Sequence, residues 1–321
     1  MFRNRHRALT LIDVVAAVTV CGLVVTVLAP ALKTARSQTQ VATCLQNLRT
    51  LGQAANGYIV ENGTFVFVFP FGYHPTPTPP DWSNFDLSTE FIWGGGLPDQ
   101  RAGEWNSDWG NNPLSAHPDV YMMLESERPL NQYISPGVWW CDPERRGVSN
   151  PLRRQRPMQL PDYFKCPQDS TCSVPMAGAP DPPADGDLPE NGGASWEWWG
   201  TSYVANWHWA YYYAPSSIAP LIYYNASFLS SKIDRGASEC VLLMENRMNY
   251  ALEFAVPRGA PQSEQLHYQG WHRQQDKHAA AFLDGSARYQ IFDTNYVDGP
   301  GWSAWPNRPW TGSNWEAYQD H

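Results

Sequence analysis

The beginning of this chain constrains it more than any other part. Residues 9–32, LTLIDVVAAVTVCGLVVTVLAPAL, are an apolar run whose only charge is Asp13, and Val14 to Ala29 carries none. As a helix rising ~1.5 Å per residue, the run is long enough to cross a hydrocarbon core of ~30 Å. Before it stands MFRNRHRA, residues 1–8, with Arg3, Arg5 and Arg7 and no acid. Basic residues ahead of a membrane segment hold that end in the cytoplasm, so the bulk of the chain is expected outside. A secretory signal peptide also begins this way. Its apolar core is usually only ~7–15 residues and leads to a small-x-small cleavage site. Here the run is longer and passes straight into an amphipathic pattern. An acid such as Asp13 near one end of a membrane helix is costly and reads as functional.

Residues 31–60 place Val41, Leu45, Leu48, Leu51, Ala55 and Tyr58 at intervals of three or four. That spacing predicts a helix with one apolar stripe, and Asn62-Gly63 is a stop signal. A soluble core helix would explain residues 41–58 equally well. It would not explain why they follow a membrane segment with no linker.

The remainder, residues 63–321, has a different composition. Of the whole chain's residues 28 are proline, 24 glycine and 16 tryptophan, and only 17 % are charged. This points to short strands and many turns, and the aromatics exclude wholesale disorder. The formal net charge is −9, which argues against nucleic-acid binding. A negative mean hydropathy excludes a polytopic membrane protein.

Within this region, residues 65–80 begin strand-like and end in a Thr-Pro tract, expected as a surface loop. Residues 178–194 form an acidic loop in which Asp181, Asp185, Asp187 and Glu190 are weak candidates for Ca²⁺, although the full EF-hand pattern is missing. Residues 201–213 and 240–244 read as strands. Residues 280–292 read as a hairpin turning at Asp284-Gly285, a pair that suits a type I′ turn with positive φ at both positions.

His272, Asp276, His278 and Asp284 lie within thirteen residues. Such groups can bind zinc or exchange protons. No H-E-x-x-H, C-x2-C or G-x-S-x-G pattern accompanies them, so a structural role is favoured, with His272 hydrogen-bonded to Asp284. Cys21 lies in the apolar run, which leaves Cys44, Cys141, Cys166, Cys172 and Cys240 for the rest. Outside the cytoplasm disulfides are allowed. Cys166 with Cys172 would close a short loop and Cys141 with Cys166 a longer one; the sequence does not choose. Tryptophans cluster at Trp139-Trp140, Trp196-x-Trp198-Trp199, Trp207-x-Trp209 and Trp302-x-x-Trp305. Core packing is the default, and exposed rings would instead stack on sugars or partner proteins.

Ala8-Leu9-Thr10-Leu11-Ile12-Asp13 resembles the G-F-T-L-I-E site of type IV prepilins and type II secretion pseudopilins. The resemblance implies that a prepilin peptidase cuts between Ala8 and Leu9 and methylates the new amino terminus on Leu9. Asp13 stands where the family has Glu, whose carboxylate pairs with the methylated amine of a neighbouring subunit. Pro30 stands where pilins often carry a helix-bending proline. The helix phrase also resembles a branch of prepilin-like proteins abundant in planctomycete-type bacteria, A-x-x-x-C-x-x-N-L-R-x-L-G-x-A-x-x-x-Y. Cys44, Asn47-Leu48-Arg49, Leu51-Gly52, Ala54 and Tyr58 match it. Cys166-Pro167-Gln168-Asp169 resembles that branch's C-P-S-D element, and Ser202-Tyr203-x-x-Asn206 its S-Y-x-x-N element. His272 with Asp284-Gly285 resembles its C-terminal H-x9-DG domain, with eleven residues between instead of nine and Ser286 in place of the last histidine.

The resemblance implies an α+β, pilin-like fold. It comprises a leader at 1–8, a membrane and fibre-core helix at 9–32, an amphipathic extension at 33–62 and a β-rich head at 63–321. It implies a non-enzymatic subunit with no cofactor beyond structural calcium. Its expected partners are prepilin peptidase, other pilin or pseudopilin subunits and the inner membrane, with the head outside the cytoplasm. The alternatives are a membrane-tethered carbohydrate- or protein-binding module using its tryptophans and, further off, a surface-anchored hydrolase.

Overall fold

The computed structural model describes residues 11–62, 93–95, 128–134, 161–172, 191–192, 194–206, 236–252 and 268–304. The expectations placed on Ala8 and Leu9, on the Asp13 and Cys172 side chains, on the Thr-Pro tract and on Cys141 lie outside them. So do those on Asp181, Asp185, Asp187 and Glu190, on Trp139, Trp140, Trp207, Trp209 and Trp305, and on the Trp198 side chain.

The chain divides into two compact units, Met1–Ala42 and Thr43–His321. One helix, α1 (Leu11–Asn62), runs through both and stops at the Asn62 that the sequence marks. In the first unit every described side chain from Leu11 to Arg36 is exposed, including Leu11, Val18, Leu23, Val27 and Leu32. The helix is long and apolar enough to cross a membrane. Its few hydroxyls fold back on the backbone: Thr19 Oγ1 donates to Val15 O at 2.8 Å and Thr26 Oγ1 to Leu23 O at 2.8 Å. Pro30 sits inside the helix and has no N–H to donate. Its own carbonyl accepts from Thr34 Oγ1 at 3.1 Å.

The second unit is built on a four-stranded antiparallel sheet, ordered β3 (Tyr203–Ala205), β4 (Val241–Glu245), β5 (Lys277–Phe282) and β6 (Ala287–Ile291). The short elements around it are α2 (Asn131–Ile134), a 3₁₀ turn (Asp162–Phe164), β1 (Thr171–Cys172), β2 (Asn191–Gly192), α3 (Ser195–Trp199), α4 (Asn246–Leu252), β7 (Asp298–Gly299) and β8 (Trp302–Ser303). β1 pairs with β2, and β7 with β8.

Strand alternation divides the core between two clusters. On β5, Ala279 and Ala281 join a cluster with Cys44, Leu48, Leu51 and Ala55 of α1, while Ala280 and Phe282 join Val204, Met244, Met248, Phe292 and Trp302. The apolar stripe read from the sequence is therefore the side of α1 built into the core. Alanines on β5 leave room for a helix to come close: a Cβ at Gly52 would lie 3.5 Å from Ala281 Cβ. A bulge between Val241 and Leu243 shifts the β4–β5 register, and Leu242 and Leu243 both join the α1 cluster.

The hairpin at Asp284-Gly285 is present, but its turn is not type I′. Phe282 N–H donates to Ser286 O at 2.8 Å and Gly285 N–H to Phe282 O at 2.9 Å. Gly285 alone of the pair takes a positive φ, +79°. These bonds close a three-residue loop ending in a left-handed glycine, the G1-bulge hairpin, in which the residue before the glycine keeps negative φ. Of the strand expected over 201–213, Tyr203–Ala205 is observed and residues 207–213 lie outside the described residues; the strand expected over 240–244 is Val241–Glu245.

Candidate functional site

Of the residues singled out by sequence, Cys44, Asn47, Cys166, Ser202, Tyr203 and His272 lie together in the second unit, where α1 packs on the sheet. Cys44 lies on the buried face of α1 and is bonded to Cys166, with the two Cα atoms 5.3 Å apart. Neither Cys166–Cys172 nor Cys141–Cys166 forms. The partner comes from 122 residues away, because the 3₁₀ turn brings Cys166 beneath the helix. Asn47, one turn along α1, fixes that turn: its Nδ2 donates to Lys165 O at 2.9 Å and to Asp162 O at 3.2 Å. Arg49 is exposed.

The chain then reverses through Cys166–Asp169, where Asp169 N–H donates to Cys166 O at 3.0 Å. Pro167 is exposed at the second position, where its fixed φ suits a β-turn. Asp169 is the hub of this corner. Its Oδ2 accepts from Ser202 Oγ at 2.5 Å and its Oδ1 from Ser195 N–H at 2.9 Å, at the start of α3. Ser202 Oγ in turn accepts from Cys166 N–H at 3.0 Å. Asn206 ties the end of β3 to two strands, its Nδ2 donating to Val241 O at 2.8 Å and Ala304 O at 3.0 Å. Tyr203 is wholly buried in the α1 cluster, and burial pushes its phenol upward. The elements C-P-Q-D and S-Y-x-x-N are thus one hydrogen-bonded unit.

Burial pushes the Asp169 carboxyl up to about 7, against the opposing pull of the Ser202 and Ser195 hydrogen bonds. The folded chain holds a proton on Asp169 at pH values where the unfolded chain has lost it. That binding stabilises the fold fully below 3.8 and is lost as pH rises through about 7. Between ~pH 5 and ~pH 8 the chain is expected to lose on the order of 2 kcal/mol that an Asp169→Asn variant keeps. Denaturant unfolding of both across this range measures it, and equal slopes would mean that Asp169 is already ionised in the fold.

His272 does not bond to Asp284. Asp284 is exposed and its Oδ1 accepts from Ser286 N–H at 2.9 Å, an Asx turn that stiffens the hairpin loop. His272 instead points its Nε2 at Cys166 Sγ, 3.9 Å away, and packs edge-on against Tyr289 with centroids 5.2 Å apart. Burial lowers its pKa, the charge of Glu245 opposing. Cys44, Cys166 and His272 are all buried, and one donor atom from each lies within 4.8 Å of the others.

A second buried pair has no counterpart in the sequence reading. His278 Nδ1 lies 2.6 Å from Glu245 Oε1, both side chains shut away from water. Gly270 allows the close approach: a Cβ there would collide with Lys277 O and Glu245 Oε1 and crowd His278 Nδ1. Glu245 ends an apolar strand and His278 begins one, the only local sign of the pair. The described members of the tryptophan clusters belong to the core: Trp199 and Trp302 are buried and Trp196 half-buried beneath Lys165.

No protein-family model matches the chain, and no curated protein or solved structure matches it either.

Proposed function

We propose that the chain is a pilin-like structural subunit, assembled into a pilus or a type II secretion pseudopilus-like fibre. The observation that carries this reading is the change of role along one 52-residue helix. Its first part presents unbroken apolar surface, and its later part is core for the sheet unit. A helix of this kind suits storage in a bilayer followed by packing against copies of itself, where apolar side chains again leave water. Together with Ala8-Leu9 and the arginine leader, it supports removal of residues 1–8 by a prepilin peptidase and methylation of Leu9. On this reading Asp13 pairs with a neighbouring subunit's methylated amine and Pro30 bends the helix in the fibre. The anchor crosses the inner membrane once, and the sheet unit lies outside the cytoplasm, where the Cys44–Cys166 bond is chemically at home.

Co-expression with a prepilin peptidase tests the proposal through the intact mass of membrane-extracted chain. The expected species lacks residues 1–8 and carries one added methyl group, and Ala8→Trp abolishes the conversion. Cleavage after Ala29 or Ala31 would establish an ordinary signal peptide and overturn it.

A further inference from the structure

We propose that, once its disulfide is reduced, the Cys44–Cys166–His272 cluster is a binding site for a thiophilic divalent cation, Zn²⁺. The inference does not depend on the fibre reading. Two thiolates and an imidazole are a ligand set that zinc takes in tetrahedral sites. They come from three separate places in the fold: α1, the turn after the 3₁₀ segment, and the loop before β5. All three are buried, so the site excludes bulk water.

The distances suit an ion. Metal–sulfur bonds of ~2.3 Å and metal–nitrogen bonds of ~2.0–2.1 Å at tetrahedral angles put ligand atoms ~3.5–4 Å apart. His272 Nε2 already stands 3.9 Å from Cys166 Sγ. Only the two sulfurs have to part, and breaking their bond releases them to do so. Three protein ligands leave the fourth position to a water molecule.

The chemistry balances with a dithiol as reductant. Thiol–disulfide exchange transfers two electrons and two protons from the dithiol to the Cys44–Cys166 bond, and the dithiol closes into its own cyclic disulfide. Zn²⁺ then takes the place of the two thiol protons, which pass to solvent. The same joint between α1 and the turn at Cys166 is held covalently when oxidised and by the ion when reduced.

The test uses the full chain in detergent, reduced with a phosphine that is then removed, and Co²⁺ as a spectroscopic probe. One equivalent is expected to give thiolate-to-cobalt charge-transfer absorption and the ligand-field bands of a tetrahedral ion, both erased by Zn²⁺. The oxidised chain gives neither. Cys44→Ser abolishes the signal. His272→Gln weakens binding by at least about tenfold, and its disulfide still forms on oxidation, which reports that this variant folds. Absence of the bands in the reduced chain would overturn the proposal. So would their survival in Cys44→Ser, which would place the ion on other thiols, or an unchanged affinity in His272→Gln. If reduction abolishes native tryptophan fluorescence, Zn²⁺ is expected to restore it, and failure to do so counts against the site.

Discussion

Cys44→Ser is expected to lower the stability of the oxidised chain by about 4 kcal/mol. The disulfide closes a loop with a sequence separation of 122. In the chain-entropy view, cross-linking a loop of that size removes ~4–5 kcal/mol of freedom from the unfolded ensemble, and native disulfides typically return 2–5 kcal/mol. Serine is close in size to cysteine, so little packing is lost besides the bond. Cys166→Ser should cost as much, and the double variant no more than either single, because one bond is removed in every case. Denaturant unfolding of the full chain in detergent, under oxidising conditions, is the measurement. A loss below ~1 kcal/mol would show that the unfolded chain gains nothing from release of the loop, and that the joint is held by α1 packing alone.

Glu245→Ala is the second large effect, about 3–5 kcal/mol. The carboxylate is fully buried at the end of β4, and its hydrogen bond to His278 Nδ1 is 2.6 Å long. Removing it leaves a buried imidazole facing a cavity, with its Nε2 already lacking a partner among the described residues. His278→Ala leaves the carboxylate in the same position and should cost a similar amount. Replacing both by leucine should recover most of either loss, because a desolvated polar pair exchanged for apolar packing is often close to neutral. Stability measured for the two single alanine variants and the double alanine variant closes the cycle, with the leucine pair beside it. Losses that simply add would mean that the two side chains act independently in the fold.

Some of this arrangement is legible in the residues and some is not. The stop at Asn62 and the stripe through Leu48, Leu51 and Ala55 are local patterns, and local patterns survive into the fold. The motif residues Cys44, Asn47, Cys166, Ser202, Asn206 and His272 could be marked, and they do gather in one place. Their partners could not be assigned. Cys44 lies beside a stripe that any core helix would display, and nothing near it specifies a sulfur 122 positions away. Proximity in sequence suggests Asp284 as the partner of His272. The register of β5 against β6 instead turns Asp284 out to solvent, while His272 packs against Tyr289 and faces Cys166. The Asp-Gly pair signals a hairpin correctly, but it suits both a two-residue loop and a G1-bulge loop, and hydrogen bonding across Phe282 and Ser286 decides between them. Glu245 and His278 are single polar residues bordering apolar strands, with no motif to join them. Only the pairing of β4 with β5 sets them face to face.

The bond between Cys44 and Cys166 also makes a ring of everything between them. A protease that cuts the backbone once inside that ring severs no fragment: both ends stay fastened at the same helix face until the sulfurs are reduced. The ring holds residues 45–165, the Thr-Pro tract among them. A single cut in that stretch therefore changes the topology of the chain and parts nothing from α1.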